Sequence, residues 1–90
     1  DRRRYILMEG IDSIPGMQLV EPEGAFYAFI DITSSGMTSI EFADRALAEA
    51  RVQLIPGSLI EGGEGFVRVS YATDEADIRE GIARLKAWLS

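Results

Sequence analysis

Ninety residues with an apolar fraction of 47% suffice for one domain, 1–90, and not for two. A net charge of −6 gives no basic footprint for phosphate and argues against a nucleic-acid partner, and the absence of Cys and His removes disulfides, thiolate chemistry, Cys or His metal sites and imidazole acid–base catalysis. No apolar run approaches membrane-spanning length and no secretory signal is visible, so a soluble cytoplasmic protein is expected.

In chain order, Leu7, Ile11 and Ile14 recur at helical spacing with Met8 beside them, and Pro15-Gly16 stops the segment, which predicts a helix over 2–14. Arg2, Arg3 and Arg4 crowd its first turn, where the helix dipole disfavours positive charge. Either that turn is a solvated basic surface, or the helix continues upstream in a longer parent chain. Residues 17–20 read as a short strand and 21–24 (Glu-Pro-Glu-Gly) as a turn. Residues 25–32 then form a mostly apolar run carrying Phe26, Tyr27 and Phe29. A strand apolar on both sides is covered on both sides. The helices of this domain cover one face, and ninety residues leave little to cover the other.

A polar loop, 33–37, leads to Thr38-Ser39-Ile40-Glu41, which fits a capping box. Ile40, Ala43, Leu47 and Ala50 mark the apolar face of the helix that follows, ending near Arg51. Residues 52–55 read as a short strand stopped by Pro56-Gly57. The glycine-rich loop 58–65 lacks the Lys–Ser/Thr pair and the following helix of a phosphate loop.

The stretch 65–73 reads as a strand with one charge in its middle. Alternation puts Val67, Val69 and Tyr71 on one face and Phe66, Arg68 and Ser70 on the other. An unpaired buried charge costs on the order of several kcal/mol, so Arg68 needs an anionic partner. No acid has a spacing that fixes it opposite Arg68. Two readings stand: a ligand carboxylate held bidentately by the planar guanidinium, or a stem packed on the sheet whose head reaches solvent or a local Glu.

Asp74 and Glu75 open a last helix with the apolar stripe Ile78, Ile82, Leu85 and Leu89, and it carries the single lysine, Lys86. The order α-β-β-α-β-β-α predicts an α+β domain, a small, mostly antiparallel sheet with helices packed on it. A ferredoxin-like arrangement needs a strand before the first helix and one after the last, and ranks lower.

Three segments then carry a resemblance. Pro22-Glu23-Gly24-Ala25-Phe26-Tyr27-Ala28-Phe29 is similar to a P-x-G-A-F-Y strand, Val52-Gln53-Leu54-Ile55-Pro56-Gly57-Ser58 to a V-x-x-x-P-G-S strand and turn, and Gly65-Phe66-Val67-Arg68-Val69-Ser70-Tyr71-Ala72 to a G-[YF]-[IV]-R-[LIV]-S-[FY]-A strand. In this order and at this spacing the chain, over nearly all its length, resembles the small C-terminal domain of the fold-type I, class I/II aminotransferases, the aspartate aminotransferase-like pyridoxal-phosphate enzymes. It departs from that pattern after Pro56-Gly57-Ser58, where Leu59-Ile60-Glu61 stand in place of the usual x-aromatic-Gly and the aromatic-Gly pair is missing.

The resemblance implies roles that periodicity does not. Arg68 falls on the arginine that binds the α-carboxylate of the amino or 2-oxo acid, Phe26 on an aromatic lining the substrate pocket, and Pro56-Gly57-Ser58 on a turn bordering the site. Pyridoxal phosphate, its Schiff-base lysine and its phosphate site belong, by the same resemblance, to a large domain of a parent enzyme, which is usually a homodimer. No residue of this chain is assigned to catalysis or to the cofactor, Lys86 reads as a surface residue, and the 90 residues alone are expected to be inactive. The alternative is a free-standing amino-acid-binding or interaction module without catalysis.

Overall fold

Among the described residues, three α-helices stack on one face of a four-stranded sheet. The computed structural model describes residues 2–20, 27–59 and 62–90. The elements are α1 (Arg2–Asp12), β1 (Gln18–Val20), β2 (Tyr27–Asp31), α2 (Ser39–Arg45, continued as a π-helical turn over Ala46–Ala50), β3 (Ile55–Pro56), β4 (Phe66–Ser70) and α3 (Glu75–Leu89). The order is the expected α-β-β-α-β-β-α. Every pairing is antiparallel and the strand order is β1-β2-β4-β3. Because β4 is antiparallel to both its neighbours, β2 and β3 run parallel with β4 between them, and α2 makes the crossover.

The register divides the sheet cleanly. Leu19, Ala28, Ile30, Val67 and Val69 share the face that joins Leu7 and Ile11 of α1, Phe42 and Ala46 of α2, and Ile78 and Leu85 of α3 in one core. The other face carries Val20, Tyr27, Phe29, Ile55, Phe66 and Arg68, which are half-buried or exposed. The apolar character of both faces of β2 is therefore met on one side only by the described residues.

The basic first turn of α1 has a local explanation. Arg2 pairs with Glu75 in the acidic first turn of α3, and Arg3 Nη1 donates to the Thr73 carbonyl at 3.4 Å. A side chain at Gly10 would strike Ile82, so the two helices run side by side from the same end. Parallel helix dipoles repel, and the opposite charges at their starts offset this. Asp74 caps α3 by accepting from the Asp77 N–H at 2.9 Å, and Thr38 Oγ1 caps α2 by accepting from the Glu41 N–H at 3.2 Å.

Three sequence expectations are corrected. The first helix ends at Asp12 rather than Ile14. Residues 52–54 are irregular, and the strand expected over 52–55 reduces to Ile55–Pro56, with Pro56 inside it. This strand lies at the sheet edge, where a missing N–H costs no ladder bond. The buried face of α2 is Phe42, Ala43, Ala46 and Ala50, whereas Ile40 and Leu47 are 50% and 57% exposed. The ring of Phe42 packs edge-to-face on Trp88 at 5.2 Å, and Trp88 Nε1 donates to Glu49 at 2.9 Å. These anchors on α3 set the rotation of α2, and the smaller aliphatic stripe turns outward.

Arg51 closes the π-helical turn in the left-handed region, φ 58° and ψ 40°, with its own N–H and that of Val52 directed to the Ala46 carbonyl. A Cβ there is strained. Arg51→Gly should raise stability by about 0.5–1 kcal/mol, read as a higher urea midpoint at unchanged slope. The Arg51 carbonyl, which accepts from Arg84 Nη1 at 3.4 Å, is retained in the variant.

No helix among the described residues is long and apolar enough to cross a membrane. No group of three acids among them is placed to hold a metal ion.

Candidate functional site

The interior strand β4 positions Arg68. Its neighbours Val67 and Val69 turn to the helices, so Arg68 projects from the opposite face, with Phe29 of β2 across from it on one side and Ile55 of β3 on the other. The guanidinium carbon lies 4.4 Å from the centre of the Tyr27 ring, a cation–π contact. Arg68 Nε is buried with no acceptor. Arg2, Arg45 and Arg84 pair with Glu75, Glu49 and Glu80, and no described acid pairs with Arg68. A buried donor without a partner costs about 1–3 kcal/mol. The guanidinium thus lies against the Tyr27 ring with a buried N–H donor left unsatisfied. A planar anion arriving on this face meets parallel N–H donors with geometry suited to a carboxylate.

The loop between β3 and β4 frames this face. Ser39, fully buried at the start of α2, donates its N–H to Glu64 at 2.9 Å and its hydroxyl to the same carboxylate at 3.0 Å. The hydroxyl also accepts from the Ser58 N–H at 3.1 Å, and Gly65 N–H donates to Glu64 at 3.1 Å. Ser39 therefore ties both ends of the loop to α2, one through the Ser58 N–H and the other through the Glu64 carboxylate. The backbone N–H of Ser39 above all, then its hydroxyl and the Gly65 N–H, hold the Glu64 carboxyl below its ordinary value. Thr33 does the same for Asp31, by its hydroxyl first and its N–H second.

A carboxyl whose folded pKa is lowered contributes stability that is fully present above its unfolded pKa and is lost as pH falls through the folded value. Stability should therefore fall with acidification below the ordinary carboxylate range. Glu64→Gln should flatten that acid limb while leaving its shape above neutrality unchanged, which a series of urea titrations across pH measures. An acid limb identical to the parent's would remove Glu64 from this role.

Of the residues singled out from sequence, Arg68 and the Pro56-Gly57-Ser58 turn belong to one hairpin. Phe26 lies outside the described residues. The sequence pattern marks Tyr27 as an aromatic of its strand without linking it to Arg68, and the structure sets its ring against the Arg68 guanidinium. Alternation from Phe29 would place Tyr27 on the same face, but the link to Arg68 needs the β2–β4 register, which local pattern does not carry.

Lys86 is exposed on α3 and lines a groove of about 340 Å³ with Glu9 and Arg79 on the helical side. Arg68 opens from the other face of the sheet. A lysine there would not reach the aldehyde of a cofactor placed beside a ligand whose carboxylate Arg68 holds, so these residues do not fit a pyridoxal-phosphate site. A second cleft, of about 310 Å³, is lined by Val69, Tyr71, Ile78 and Arg84 and also lies on the helical side.

No family model matches the chain. Similarity to known proteins is nonetheless close. The aspartate aminotransferase of Pyrococcus horikoshii is 40% identical over 87 residues, covering 96% of this chain and 22% of the relative. The crystal structure of an aromatic aminotransferase from the same organism superimposes with a TM-score of 0.92 at 41% identity, over 99% of this chain and 24% of that one. Aspartate aminotransferase from Thermus thermophilus, solved with maleate, superimposes with a TM-score of 0.83 at 37% identity, over 96% of this chain and 22% of that one. The chain spans between a fifth and a quarter of the length of the relatives it matches.

Proposed function

We propose that this chain, a small domain of the fold-type I aminotransferases, supplies the substrate-carboxylate site of a pyridoxal-phosphate-dependent parent enzyme that moves an amino group between an amino acid and a 2-oxo acid. One observation carries the reading. Arg68 stands on the open face of an interior strand, its charge unpaired by any described acid and its Nε without an acceptor. A carboxylate is the simplest group that satisfies both. The presence of the dicarboxylate maleate with the Thermus thermophilus relative supports it.

In this reading Arg68 binds the α-carboxylate and orients the substrate, which converts binding energy into a reactive geometry at the neighbouring carbon. Phe26 lines the pocket for the rest of the substrate. The hairpin loop fastened by Glu64 borders the site. Pyridoxal phosphate, when bound, supplies the electron sink for the amino group. Its lysine and phosphate site belong to a large domain of the parent, because Lys86 faces away from Arg68. The 90 residues by themselves bind no cofactor and catalyse nothing.

The test is the native protein, isolated from its source cells with an antibody raised against this chain. A polypeptide several times longer than 90 residues that carries pyridoxal phosphate and exchanges amino groups is the expected result. A native protein of 90 residues that binds an amino acid stoichiometrically without catalysis would overturn it in favour of a free-standing binding module.

A further inference from the structure

We propose that Tyr27 is the positioning residue for Arg68: its ring face holds the guanidinium in the rotamer that receives the carboxylate. The inference rests on the carboxylate-binding reading of Arg68 and goes beyond it by assigning what aims the group. An arginine side chain has four rotatable bonds and loses much of its freedom when it binds. On β4 nothing hydrogen-bonds to Arg68 Nε, and no described acid fixes the head group. The contact that orients it is the Tyr27 ring, 4.4 Å from the guanidinium carbon.

The placement follows from the register. Tyr27 pairs with Ser70 and Phe29 with Arg68, so Tyr27 sits diagonally across from Arg68 on the same face. That diagonal is within reach of an aromatic and a long side chain. A π-face suits the task better than a carboxylate would. It attracts the cation without neutralising it or using its N–H donors, so the donors remain for the ligand. An acid in the same place would compete with the substrate. Tyr27 is 43% exposed, so its ring contributes less to the core than to this contact.

The experiment uses the holoenzyme and maleate as the probe, with affinity measured by calorimetry. Arg68→Ala comes first. If it leaves maleate affinity unchanged, the carboxylate reading itself fails. If it abolishes binding, Tyr27 is tested. Tyr27→Leu should weaken maleate about tenfold, and Tyr27→Phe, which keeps the ring face and loses only the hydroxyl, should bind as the parent does. In steady-state kinetics the Leu variant should raise KM for the amino acid more than it lowers kcat. Wild-type affinity in Tyr27→Leu overturns the inference while sparing the role of Arg68. A Phe variant as weak as the Leu variant also overturns it, because the hydroxyl would then be the active group. Should Leu disturb the fold, Tyr27→Thr removes the ring with a residue suited to a strand and is read by the same criteria.

Discussion

If Arg68 holds the substrate carboxylate, Arg68→Ala in the parent enzyme should lower kcat/KM for the amino acid by about two to four orders of magnitude. A hydrogen bond to a charged group is worth about 1.5–3 kcal/mol, two are lost together, and each 1.4 kcal/mol is about tenfold. Both constants should move: KM because the carboxylate loses its anchor, kcat because the substrate loses its orientation. Arg68→Lys should recover only part of the loss, since an ammonium keeps the charge without the parallel donors. The stability of the unliganded protein should move the other way or barely at all. Arg68→Met keeps the apolar stem and deletes a buried donor that has no acceptor. That relief and the lost cation–π contact roughly cancel, leaving stability within about 1 kcal/mol of the parent. A residue kept for structure would show the reverse pattern, with a lowered denaturation midpoint and intact turnover. Unchanged KM and kcat in Arg68→Ala would remove Arg68 from the site.

Gly57→Ala should be among the most damaging single substitutions in the fold. A Cβ at Gly57 lands on the carbonyl oxygens of Gly63 and Phe66. Both are backbone atoms of the hairpin closure, where Phe66 N–H already donates to the Gly63 carbonyl at 3.1 Å. A flexible side chain would swing aside, but these are main-chain carbonyls, one accepting from the Phe66 N–H and the other on a strand residue paired with Asp31 of β2, and they move only with the backbone. Relief requires parting Pro56 from Val67, the register pair next to Ile55 and Arg68. The expected loss is about 3 kcal/mol, at the upper end for added bulk in a packed site. A urea titration reads it directly. A midpoint equal to the parent's would show that the loop moves freely, and Glu64 would then not be fastening it. The Pro-Gly-Ser turn is thus a close approach of two backbone segments, which explains the glycine without any catalytic role.

Glu64 extends the same logic. Its carboxylate meets Ser39, 25 positions earlier, and Ser58 reaches the same hydroxyl. The anchor of a loop at the edge of the candidate site is therefore a buried serine at a helix start. Its acid sensitivity gives the hairpin a pH-dependent hold whose bonds do not involve Arg68.

Much was legible in the sequence because it is encoded locally. Caps at Thr38 and Asp74 depend on residues within one turn. The stripe Ile78, Ile82, Leu85 and Leu89 sets which side of α3 is inward. Alternation through 66–70 puts Arg68 opposite its valine neighbours, and three ordered motifs carry the likeness to the aminotransferase small domain. These follow from the periods of 3.6 and 2 and from short-range hydrogen bonding. What only the tertiary structure decided depends on partners distant in sequence. α2 turned Phe42 and Ala46 inward instead of Ile40 and Leu47, because a helix rotates to suit what it packs on. The edge strand shrank to Ile55–Pro56, because β3 keeps only the length that β4 pairs. Tyr27 met Arg68, and Ser39 met Glu64, because strand register and loop closure bring together side chains that no local pattern links.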